Sequence, residues 1–83
     1  MHVTVISPEQ AVFAGEADSV IAPAYDGMVG ILPQHAPFLT LLGEGDLTVR
    51  ESGAIHTFRV RGGFLQVVDD VVRVVAEYAE GRV

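Results

Sequence analysis

The sequence predicts a small all-β sandwich. Valine and isoleucine together supply 18 of the 83 residues, and their β-branched side chains favour the pleated sheet. Glycine, proline and aspartate recur at short intervals along the chain, which is typical of short strands joined into a sandwich or barrel. The length fits one domain, which we take as residues 1–83.

Alternating and β-branched runs predict the individual strands. The predicted strands cover residues 2–6, 16–22, 28–32, 38–42, 47–50, 56–61, 64–68 and 71–78. Gly15 is expected in a turn, residues 43–45 in a hairpin connection, and Gly62 and Gly63 at a bulge or close backbone approach. Residues 67–78 also fit helical spacing, but valine is a poor helix former, so we expect a hairpin that turns at Asp69 and Asp70.

The charge balance excludes several partners. Eleven acidic and five basic residues give a net charge of −6, and there is no lysine. Such a chain repels phosphate backbones and lacks the basic stretches that hold proteins on anionic lipid, so we expect no nucleic-acid binding and no direct lipid insertion. No apolar run approaches the ~18 residues of a membrane span, and no signal peptide is recognisable, so we expect a soluble protein.

The apolar content indicates a partner surface. Hydrophobic residues make up 49% of the chain before its nine glycines are counted, whereas typical domains reach about 45–50% with glycine included. A domain of this size hides roughly 60–65% of its unfolded surface. Some apolar surface should therefore stay exposed, and a contiguous exposed patch usually marks an interaction site.

Chemistry-bearing residues are few. His35 could act as a base in a small hydrolase or isomerase, but no motif links it to a nucleophile or carboxylate, so a structural or interface role is favoured. His2, His35 and His56 do not stand at metal-ligand spacing, and without cysteine no thiolate site exists. The glycines form no phosphate-binding loop, and the lack of lysine excludes a lipoyl or biotinyl carrier domain. We therefore expect no metal and no cofactor.

Three ordered motifs carry a resemblance to a known family. They are VTVISPEQAVFAGEADSVIAP, then DGMVGILPQHAPFLTLLGEGDLTVR with its GxLPxHAPxLT core, then RVRGGFLQVVDDVVRVVAEYAE. The chain resembles the epsilon subunit of bacterial F-type ATP synthase, which is called delta in mitochondria. The resemblance implies a β-sandwich of two five-stranded sheets. The family usually continues into a pair of C-terminal helices, and this sequence ends at residue 83, so we expect the sandwich without that helical hairpin.

The resemblance implies a non-catalytic subunit of the central stalk, or rotor. Its partners would be the gamma subunit and the ring of c subunits, and it would couple ion flow to ATP synthesis or hydrolysis. It would lie at the cytoplasmic face of the plasma (inner) membrane, held there by its partners. A free β-sandwich adaptor and the His35 enzyme remain as alternatives.

The resemblance also assigns residues to each partner. Residues implied to face the c ring are Asp26, Gly27, Met28 and Val29. Residues implied to face gamma are Ser7, His35, Ala36, Pro37, Phe38 and Thr40. Structural turns are expected at Gly30, Pro33, Gly62 and Gly63. Because proline fixes φ, the segment loses little entropy on docking, and Met28, Val29, His35, Phe38 and Thr40 should keep exposed surface.

Overall fold

The computed structural model describes residues 1–82, which form eight β-strands. The strands are β1 His2–Ile6, β2 Ala11–Glu16, β3 Ser19–Ala24, β4 Gly27–Ile31, β5 Phe38–Leu41, β6 Glu44–Glu51, β7 Ala54–Val68 and β8 Val71–Arg82. Within these residues no helix is long and apolar enough to cross a membrane. The predicted all-β class is confirmed, and residues 67–78 belong to a hairpin rather than a helix.

Backbone hydrogen bonds join the strands into one continuous sheet in the order β2-β1-β8-β7-β6-β3-β4, with β5 also pairing with β7. The long strands β7 and β8 each contribute to two layers, because β5 pairs with residues 64–67 of β7 and β6 pairs with residues 54–61. The first layer contains β2, β1, the start of β8, the end of β7, and β5. The second layer contains the end of β8, the start of β7, β6, β3 and β4. Each layer thus contains five strand segments, but the strands form one hydrogen-bonded sheet of eight strands, so the number of sheets differs from the two that were predicted.

The bend in β7 lies at Gly62 and Gly63. Before it, Phe58 and Val60 face the core, and after it Leu65 and Val67 do, so the inward-facing positions change from even to odd numbers. Both glycines have positive φ, and a Cβ at Gly63 would overlap the backbone oxygen of Val75 on β8. The predicted close backbone approach is confirmed, and it is what lets strand β7 pass from the second layer to the first.

The core between the layers consists mainly of valine. The fully buried valines are Val3, Val5, Val20, Val49, Val60, Val67, Val72 and Val74. Ile31, Leu47 and Leu65 add the largest fully buried side chains. Each such burial contributes roughly 1.5–3 kcal/mol, and β-branched side chains suit the pleat, so the same residues define both the strands and the core.

Two predicted features are wrong. Gly15 lies inside strand β2, and the turn that follows comes at Ala17 and Asp18, so the predicted strand 16–22 merges the end of one strand with most of the next. Residues 43–45 do not connect a hairpin, since β5 and β6 lie end to end along β7 instead of pairing with each other. Gly43 instead reaches across to β3, where its N–H donates to the oxygen of Pro23 at 2.9 Å.

Candidate docking site

An apolar groove of about 1020 Å³ opens between the β3–β4 hairpin and strand β5. The hairpin contributes Ala24, Tyr25, Asp26, Met28 and Val29. The opposite wall consists of Phe38, Leu39, Thr40, Leu41, Phe64 and Gln66. The groove therefore brings together residues expected to face the c ring and residues expected to face gamma.

The hairpin wall is a tight turn that presents large side chains to solvent. Tyr25 and Asp26 occupy the turn between the paired residues Ala24 and Gly27, and Gly27 has a φ of +130°, which favours glycine. Tyr25 is 69% exposed and Met28 63%, which is unusual for side chains of this size. Asp26 is the one charged side chain among the described residues that line the groove.

The side chains of strand β5 alternate between the core and the solvent, as they do along any strand. Phe38 and Thr40 are half-buried, and Phe38 packs against the core, while Leu39 and Leu41 are 67% and 62% exposed. Leu41 pairs with Phe64 of β7, so their side chains form adjacent apolar surface. Strand β5 thus anchors itself with one face and offers two leucines with the other.

Backbone contacts hold the two walls at a fixed separation. The N–H of Tyr25 donates to the oxygen of Leu41 at 3.0 Å, and Ala24 forms an isolated bridge with Leu42. A Cβ at Gly43 would lie 2.8 Å from the oxygen of Ala24, closer than side chains tolerate. The groove therefore exists before any partner binds, which reduces the entropy lost on docking.

The five residues expected to keep exposed surface all do so. Met28 is exposed, and each of the other four is partly exposed. Those four are Val29, His35, Phe38 and Thr40. Val29 and Phe38 also pack against the core, so they combine a structural and a surface role. Exposure is the condition that an interface role requires, but contact with gamma or the c ring stays a prediction.

His35 follows the turn at Pro33 and Gln34, next to the groove. Its Nδ1 lies 2.7 Å from the oxygen of Ala36, and its ring meets that of Phe38 edge-on, with centroids 5.6 Å apart. Among the described residues no carboxylate forms an ion pair or hydrogen bond with His35, and it does not line the groove. The enclosed His–carboxylate pair that the enzyme alternative needs is not formed here.

The loop around His35 is tied to the β7–β8 turn. Pro33 lies in a turn, Ala36 and Pro37 are exposed, and Gln34 adopts a φ of 66°. The N–H of Gln34 donates to the Asp70 carboxylate at 2.8 Å. This contact restrains the loop against the β7–β8 turn.

Two predicted site residues lie in other surroundings. Ser7 is buried at 6% exposure, and its hydroxyl donates to the oxygen of Gln10 at 3.1 Å, so its side chain stabilises the turn after β1. Gly30 lies inside strand β4 opposite Ile21, on an open surface where a Cβ would meet nothing within 4 Å. A role of Ser7 toward gamma stays a prediction.

Sequence reasoning missed four apolar members of the groove. Tyr25, Leu39, Leu41 and Phe64 were not named, although Leu39 and Leu41 alternate with Phe38 and Thr40 and so had to face the other way. Phe64 could not be placed, since its direction depends on the bend at the preceding glycines.

The whole fold corresponds to a known family. The family described as ATP synthase, Delta/Epsilon chain, beta-sandwich domain matches residues 1–82. The chain is 39% identical over 79 residues to the ATP synthase epsilon chain of Caulobacter vibrioides, covering 95% of this chain and 92% of that one. It is 40% identical over 78 residues to the epsilon chain of Leptospira borgpetersenii, covering 94% of this chain and 61% of the relative. The chain thus spans about three fifths of the length of several relatives and nearly all of the Caulobacter one.

Solved structures share the fold. A chain of the Euglena gracilis mitochondrial ATP synthase superposes with a TM-score of 0.87 at 24% identity, covering 95% of this chain and 51% of that one. A chain from the central stalk and c-ring of the Tetrahymena thermophila mitochondrial ATP synthase gives 0.82 at 18% identity, covering 96% of this chain and 65% of that one. The structures support the fold, and the sequence match decides the family: this chain belongs to the β-sandwich domain family of the ATP synthase delta and epsilon subunits.

Proposed function

We propose that this chain is a non-catalytic rotor subunit of ATP synthase, which binds the gamma subunit and the c ring through the apolar groove. In that position it couples ion flow through the membrane ring to ATP synthesis or hydrolysis. It is peripheral at the cytoplasmic face of the plasma (inner) membrane and is held there by its partners. Family membership supports the subunit assignment, and the groove supports the mode of binding.

The observation that carries the proposal is the apolar surface on both groove walls. Tyr25, Met28, Leu39 and Leu41 are each more than 60% exposed, and they converge on one groove. Aromatic residues and methionine are enriched where proteins meet. A chain of 83 residues gains nothing for its own core from such side chains, so a covering partner accounts for them.

Co-purification with gamma and the c ring tests the proposal. A double variant, Met28→Ser with Leu39→Ser, removes one side chain from each wall while leaving the core intact. Ile55→Ser is the matched control, because Ile55 is 58% exposed but does not line the groove. We expect the double variant to lose the complex and its coupled ATPase activity, and the control to keep both. Equal retention of the complex by both variants would show that the groove is not the docking site.

A further inference from the structure

Strand β4 lies at an edge of the sheet, and its outer side is open. It pairs with β3, and among residues 1–82 no strand pairs with its other side. Pro23, opposite Met28, has no N–H, and its oxygen accepts from Gly43 on the far side of β3. The Pro23–Met28 pair is therefore not hydrogen-bonded, and because such pairs alternate, neither is the pair at Gly30. The backbone N–H and C=O groups of Met28 and Gly30 thus point to the open side.

The other strand edges in residues 1–82 carry features that discourage pairing with a second chain. Strand β2 has a register shift against β1 and ends in Glu16. Strand β5 has only four residues and follows Pro37. The end of β8 that β1 leaves unpaired carries Glu77 and Glu80. Strand β4, with the sequence GMVGI, has no charge, no proline and no register shift against β3.

The sequence of β4 is complementary to itself. When two copies of β4 align antiparallel about Val29, Met28 of each copy lies opposite Gly30 of the other, and these pairs use the open backbone groups. A Cβ at Gly30 would meet nothing within 4 Å, and its neighbour Ile21 is 47% exposed. The exposed Met28 side chain of one copy therefore has room to lie over Gly30 and against Ile21 of the other. Such a reciprocal contact is what a two-fold interface requires.

The distribution of charge favours the same register. A net charge of −6 opposes the approach of two copies, but residues 27–43 contain no aspartate, glutamate or arginine. In the register centred on Val29, Asp26 lies opposite Leu32 and not opposite the second Asp26. Pairing along β4 therefore places no carboxylate directly across from another, an arrangement that would destabilise the pair.

We propose that two copies of the free chain pair along β4 to form an antiparallel dimer centred on Val29. The inference goes beyond the proposed function and depends only on the edge of β4. Five residues of each chain form the paired strands, so the interface belongs to the small, transient class. We expect a dissociation constant of about 0.1–1 mM. Because Met28 also lines the groove, pairing occupies this residue in the free chain.

Sedimentation equilibrium of the purified chain tests the proposal. Wild type should show a reversible monomer–dimer equilibrium between about 10 μM and 1 mM. Gly30→Lys places a charged side chain where Met28 of the second copy lies, and it should weaken the dimer at least about ten-fold although it lowers the net negative charge. Ile55→Lys is the matched control, because it makes the same change of charge at a residue of β7 that is 58% exposed. It should stay within about three-fold of wild type.

Residue-specific amide exchange, followed by NMR, examines the register in the wild-type chain. Exchange at Met28 and Gly30 should slow as the concentration rises, because their N–H groups donate across the interface. The amide of Val29, which points to β3, should not change. This measurement needs no variant, so it decides the question even where Gly30→Lys does not fold.

Three results would overturn the inference. One is a wild-type chain that stays monomeric at the highest concentration. Another is a folded Gly30→Lys variant that dimerises as tightly as Ile55→Lys. The third is growth beyond the dimer, which would show head-to-tail pairing without a two-fold axis. Neither gamma nor the c ring takes part in these experiments, so the proposed function is tested separately.

Discussion

Replacing Gly63 with alanine should severely destabilise this domain. Gly63 has a φ of +100°, and an L-residue in the left-handed region costs about 1–2 kcal/mol. The added Cβ would also overlap the oxygen of Val75 and approach the Cα of Ala76 to 2.8 Å. Both atoms belong to the backbone of the paired strand, which cannot rotate away, so overpacking adds roughly 1–3 kcal/mol or more.

The total loss is large for a chain of this size. A loss of about 2–5 kcal/mol compares with a total free energy of unfolding of roughly 4–12 kcal/mol for about 80 residues. At roughly 4–8 °C per kcal/mol, Tm should fall by at least about 8 °C. Thermal and urea unfolding followed by far-UV circular dichroism measure this change, because the chain contains no tryptophan.

Two other glycine positions separate the effect of positive φ from the effect of close packing. Gly53 has a φ of +88° but nothing within 4 Å of an added Cβ, so Gly53→Ala should show the φ penalty alone, about 1–2 kcal/mol. Gly30 has neither restriction, and Gly30→Ala in strand β4 should be neutral or stabilise by up to about 1 kcal/mol. If Gly63→Ala cost no more than Gly53→Ala, the bend would not depend on close packing against β8, and the reasoning would fail.

Three further predictions follow from single contacts. Leu65→Ala should cost about 2–5 kcal/mol in urea unfolding, because Leu65 is fully buried between the layers. Asp70→Ala should lower the free energy of unfolding by about 1–2 kcal/mol relative to Asp70→Asn, because asparagine keeps an acceptor for the Gln34 N–H and tolerates positive φ. Equal stability of the two variants would refute the role of Asp70 in holding the Gln34 loop. The Tyr78 hydroxyl donates a hydrogen bond to the Glu80 carboxylate at 2.6 Å, and this contact raises the pKa of Tyr78 above 10.0. The stabilisation that the hydrogen bond provides is therefore complete below pH 10 and is lost as the pH rises through the raised pKa. Tyrosinate absorbance, with the other tyrosine replaced by phenylalanine, should show this pKa falling in Glu80→Gln.

Local chemistry was sufficient to predict the valine-rich hairpin. Valines flank Asp69 and Asp70 on both sides, and both aspartates adopt positive φ in the observed turn. Aspartate tolerates this conformation better than most residues, so turn and strands are encoded by neighbouring residues. The excess of apolar residues likewise indicated an exposed surface before its position was known.

Features that depend on distant strands could not be predicted. Strand β2 is an edge strand whose residues are only partly buried, so it lacks the alternation that reveals a strand, and Gly15 suggested a turn instead. Two positive-φ glycines usually end a strand, yet β7 continues through Gly62 and Gly63 because β8 bends with it. The groove also depends on contacts between distant segments, because its walls meet through Gly43 and Ala24, which are far apart in sequence.

Hydrogen–deuterium exchange of the chain, alone and bound to a gamma–c-ring subcomplex, tests the central claim most directly. The account predicts slowed exchange at residues 24–29 and 38–41, which form the groove walls, and unchanged exchange at the β6–β7 turn, residues 51–54. Slowed exchange at residues 51–54 with no change in the groove walls would contradict it.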